Sequence, residues 1–114
     1  ARMLDAIPEG DGTMLDNSLI VFLDEISHGS HGHDQWPVIL IGGFGGLVRP
    51  GRYIRLPRTH RNPGINAMRY IGVPHNKLLV SIAQGMGMDI DHLGITEVSR
   101  EERISLTGPL HELR

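Results

Sequence analysis

Three histidines fall within six residues in the segment His28-Gly29-Ser30-His31-Gly32-His33, with Asp34 directly after it and Asp24 and Glu25 just before. Imidazole nitrogens and carboxylate oxygens are the ligands of zinc, manganese or iron in a site without sulfur. The chain contains no cysteine, which excludes disulfides and thiolate ligands and leaves nitrogen and oxygen donors alone. On an extended or looping backbone, neighbours two apart project to the same side. That spacing predicts that His31 and His33 reach one metal ion, while Asp34 or His28 orients a ring or binds a second ion. Gly29 and Gly32 permit the tight path that such convergence needs. The plain alternative is a solvent-exposed Gly/Ser/His loop, and the adjacent carboxylates and preceding strand weigh against it. His60, His75, His92 and His111 stand alone and read as surface or capping residues.

The segment needs a scaffold to hold it. Ser18 to Leu23 is an apolar run with β-branched and aromatic members, which predicts a strand buried on both faces. Trp36 to Ile41 is a second such run, ended by Gly42-Gly43-Phe44-Gly45-Gly46. In open α/β sheets ligands bind beyond the carboxyl ends of strands, and the histidines begin five residues after Leu23. Leu47 to Pro57 reads as a short hairpin turning at Arg49-Pro50-Gly51-Arg52, followed by a polar loop to Pro63 and a short helical stretch over Ile65 to Ile71. Pro74 to Gly87 is the strongest helix, with Asn76 as its cap and Leu78, Leu79, Ile82 and Met86 at helical spacing. Residues 1–7 read as the end of a helix. The whole suggests a single domain or domain fragment over 1–114: a strand, histidine-loop, strand, hairpin and helix core over 12–93, then a polar tail over 94–114. Two buried strands and one helix suit an α/β layer but do not complete a layered sheet.

Bulk properties narrow the partners. The chain has 114 residues, 39% hydrophobic and 21% charged, with a formal net charge of -2, an ordinary composition for one globular core. Basic and acidic residues are interleaved, which argues against nucleic acid as a partner. No run approaches the roughly 20 apolar residues of a membrane span. The opening Ala1-Arg2-Met3-Leu4 has neither an initiator methionine nor a signal-peptide apolar segment, as expected of a processed chain or part of a longer one. Arg49, Arg52, Arg55, Arg58 and Arg61 recur every third residue and read as solvated arginines that keep an edge strand soluble. The glycine string lacks a following Lys-Ser/Thr, so it reads as a turn and not a phosphate loop.

Leu15 to Phe22, Glu25, the histidine segment and Pro37 to Gly43 together resemble the C-terminal part of the HXXSHH-domain family of uncharacterised bacterial proteins. Gly51 to Arg55, Leu78-Leu79, Met86-Gly87 and Gly108-Pro109-Leu110 fit the same layout, so the resemblance covers roughly Gly12 to Leu110. This sequence has Gly32 between its last two histidines, where the family's name motif places them together. More distantly, the layout is similar to the end of the alkaline phosphatase and sulfatase superfamily. Its nucleotide pyrophosphatase branch carries a His-Gly-Tyr-Asp-Asn string whose histidine binds zinc, and His31-Gly32-His33-Asp34-Gln35 is similar to that string. The resemblance implies His31 as a ligand. It also implies an α/β fold in which this chain is the C-terminal portion of an alkaline-phosphatase-like layered sheet, incomplete by itself. Asp24-Glu25 stands where those enzymes have Asp-His, so either Glu25 takes the histidine's role or that ion is lost.

What the resemblance implies chemically is metal-dependent hydrolysis or transfer of a phosphate or sulfate ester, with a divalent ion, foremost zinc. The nucleophilic Ser or Thr and further Asp ligands of the superfamily lie in an N-terminal part, so the expected partner is that missing part or another chain. A periplasmic or exported location is implied in the same way. Two alternatives stay open: a non-catalytic structural or binding subunit that keeps the fold and one metal ion, and a small interaction domain whose histidines respond to pH.

Overall fold

A computed structural model describes residues 1–26, 36–61, 70–99 and 103–113. The chain divides into two units, Ala1–Tyr53 with Glu112–Arg114, and Ile54–His111.

The first unit begins with a single helical turn, α1 (Arg2–Asp5), and a two-residue ladder between β1 (Pro8–Glu9) and β2 (Gly12–Thr13). A second helical turn, α2 (Met14–Asn17), starts at a capping box. The Thr13 amide and hydroxyl donate to Asp16 Oδ2 at 2.7 and 2.9 Å, and the Asp16 amide donates back to Thr13 Oγ1 at 3.4 Å. Those reciprocal bonds satisfy donors that a helix start otherwise leaves open. The bond from the Thr13 amide, reinforced by its hydroxyl, holds the Asp16 carboxyl below its ordinary value against a small opposing cost of desolvation.

Two apolar strands follow, β3 (Ile20–Leu23) and β4 (Val38–Ile41). They pair antiparallel, with Ile20 opposite Ile41, Val21 opposite Leu40, Phe22 opposite Ile39 and Leu23 opposite Val38. The strands of this run were expected to be buried on both faces, and they are not. Phe22 is 64% exposed and Ile39 53%, and Val21 and Leu23 are exposed on the other face. Apolar composition reports what a strand can bury, not which direction its neighbour runs or whether a layer covers it. Among the described residues the strands pair two by two and antiparallel, so the chain is mixed helix and strand, as α/β composition requires, without a layered sheet.

After β4 the glycines earn their place by close approach. A Cβ on Gly42, whose φ is +111°, would lie 2.3 Å from the Ser18 carbonyl oxygen and 2.8 Å from that of Leu15; one on Gly43 would lie 2.6 Å from the Asp16 oxygen. The Gly43 amide donates to Leu15 O and the Phe44 amide to Ser18 O, which fastens the Phe44–Gly46 turn onto the end of α2. Val48 and Leu113 are buried in this unit, and the Arg49 amide donates to Leu113 O at 3.1 Å. No strand occurs at 47–57, so the hairpin expected there is corrected to a turn and bends followed by irregular chain. Pro50 has no amide to donate to a ladder, and Arg52 is drawn aside to carbonyls described below.

In the second unit, β5 (Arg58–Arg61) pairs antiparallel with β6 (Tyr70–Gly72), with an irregularity between Arg58 and His60. Over 58–61 this replaces the expected polar loop, whose last two positions, 62–63, lie outside the described residues; the helical stretch expected at 65–71 falls mostly outside them too, and its last two positions are strand. The longest helix, α3 (Asn76–Gly85), lies inside the expected 74–87 span. His75, not Asn76, occupies the N-cap position, and the Asn76 side chain donates to Leu93 O at 3.1 Å. Leu78, Val80, Ser81 and Ala83 are buried, with Val80 at 0% exposure, while Leu79 and Met86 face solvent. The buried side is held by chain that follows: Lys77 Nζ donates to Thr107 O, and the Leu110 amide donates to Ser81 Oγ at 2.7 Å and to Lys77 O at 3.0 Å. Within residues 94–114, expected as a polar tail, β7 (Glu97–Ser99) pairs with β8 (Arg103–Ser105) and buries Ile104, with Leu106 also in the core.

Candidate metal centre

The candidate ligands divide at the end of β3. Asp24 and Glu25 are described and exposed; His28, His31, His33 and Asp34 lie outside the described residues. The Asp24 amide donates to Pro37 O at 3.4 Å, continuing the antiparallel ladder one step past the Leu23–Val38 pair. Chain leaving β3 and chain entering β4 are therefore side by side at this end of the strand pair.

Beyond that bond the backbone turns. Asp24 Oδ1 accepts the Ile26 amide at 3.1 Å, the two-residue reach by which Asp side chains initiate turns. This fixes the Asp24 carboxylate at the mouth of the segment that carries the histidines. A carboxylate has about four acceptor sites and the turn uses one, so the donor chemistry at Asp24 fits an oxygen ligand for a divalent ion. The rationale from open parallel sheets does change. In an antiparallel pair the carboxyl end of β3 adjoins the amino end of β4, so no row of strand carboxyl ends forms a crevice here.

The remaining candidates resolve more simply. His92 Nδ1 lies 2.8 Å from Asp91 Oδ1, a solvent-exposed pair between chain neighbours that the sequence reading did not single out. Adjacency alone signals it. His75 is exposed at the start of α3, and His111 is exposed in the last 3-10 turn. Among the described residues no group of three or more His, Cys, Asp or Glu side chains is positioned to hold a metal. The buried Ser81 hydroxyl donates to Lys77 O at 3.0 Å and accepts from Leu110, a structural role within its own unit.

In the glycine string, the amides of Gly43, Phe44, Gly46, Leu47 and Val48 each donate to a backbone carbonyl. A phosphate cradle needs such donors turned outward, and here they close the turn. Arg52 acts within its unit: Nε donates to Arg49 O at 3.1 Å and Nη2 to Leu113 O at 2.6 Å, so this arginine clamps carbonyl groups and not an edge strand. Among the described residues no helix is long and apolar enough to cross a membrane.

The chain matches no protein-family model, and comparison with curated proteins and with solved structures likewise finds no match.

Proposed function

We propose that this chain is the metal-holding C-terminal segment of a hydrolase-like protein that acts on phosphate or sulfate esters. The observation that carries the reading is the Asp24–Pro37 hydrogen bond: the stretch containing His28, His31, His33 and Asp34 begins and ends at one end of a strand pair, beside the carboxylates of Asp24 and Glu25. His31 and His33 are the principal ligands in this reading. Asp34, His28, Glu25 and Asp24 complete the first ion's shell, orient the rings or serve a second ion. A bound zinc ion would lower the pKa of an attacking group and neutralise charge on the transferred group. This chain's own part is to supply neutral imidazoles and to hold Asp24 in place through the Ile26 amide. The reading assigns the nucleophilic Ser or Thr and the further Asp ligands to preceding chain or to a partner, and places the protein in the periplasm or outside the cell.

The test uses the full-length protein loaded with zinc and offered p-nitrophenyl phosphate and p-nitrophenyl sulfate. Turnover of either ester, abolished by chelation and by His31→Ala, is the expected result. Stoichiometric zinc with no turnover of any ester overturns the hydrolase and favours a non-catalytic subunit that keeps one ion. Turnover unaffected by chelation and by His31→Ala overturns the metal role.

A further inference from the structure

We draw no further inference here: the strongest candidate, the exposed apolar faces of the β3–β4 strand pair, with Phe22 and Ile39 on one side and Val21 and Leu23 on the other, carries nothing because nothing in the structure shows what covers it.

Discussion

The β3–β4 strand pair and the helix α3 are both rich in aliphatic residues, yet they spend them differently. The strand pair is the most continuously apolar part of the sequence and leaves Phe22 and Ile39 more than half exposed. The helix is interrupted by Asn76, Lys77, Ser81 and Gln84 and still buries Val80 completely. The difference lies in what returns to cover each element. Polar ties from Lys77 and Ser81 fasten residues 107–110 along α3, whereas among the described residues no further strand pairs with β3 or β4. Burial follows from a returning chain with its backbone groups satisfied, and apolar content alone does not provide one.

The comparison breaks first at Gly42, where chain leaving the strand pair packs tightly against the end of α2. Gly42→Ala forces a Cβ against the Ser18 and Leu15 carbonyl oxygens at a φ that L-residues rarely adopt. The expected loss is on the order of 3 kcal/mol or more, read as a lowered urea midpoint of the fluorescence of Trp36, the single tryptophan. An unchanged midpoint means that the turn is not fastened to α2 as described.

A paired deletion sharpens the contrast. Val80→Ala removes fewer atoms than Phe22→Ala but removes them from a fully buried site. It is expected to cost about 2 kcal/mol, followed by helix circular dichroism, against less than about 1 kcal/mol for Phe22→Ala. The reverse order would show that the strand pair is covered in solution and would overturn the contrast.

The smallest effect concerns the capping box ahead of the strand pair. The Asp16 carboxyl is held below its ordinary value, so the ionised form favours the folded state. Its contribution is present above the unfolded pKa of roughly 3.9 and is lost as pH falls through the lower folded value. In Asp16→Asn the acid limb of the stability profile should flatten. A limb identical to that of the parent protein removes Asp16 from the account.

Much of this architecture was legible in the sequence, and the illegible parts share a cause. The two apolar runs, the turn at Gly42 and the span of α3 follow from local composition and breakers. Pairing direction does not, because a run such as Ile20–Leu23 reads the same in a parallel or an antiparallel sheet. β7 and β8 are hard to see in the sequence because Glu97 to Arg103 reads as a charged polar stretch, and Ile104 alone is buried in its strand. Arg52 read as solvated because its carbonyl partners, Arg49 and Leu113, include one 61 positions away. At the candidate centre, the place of Asp24 and Glu25 at a strand end was legible from the end of the apolar run. The turn formed by Asp24 on Ile26 was not, since a carboxylate beside a strand suggests a ligand and a turn former equally.

The central claim, that the histidine segment binds a divalent ion, is tested most directly by calorimetric titration of zinc into the metal-free chain. Binding near one ion per chain is expected at pH 7, weakening as pH falls below the ordinary imidazole value of roughly 6.5. His31→Ala and His33→Ala should each weaken it by more than the roughly 10- to 100-fold that loss of an outer-shell partner costs. No binding at pH 7, or binding unchanged in both variants, contradicts the account.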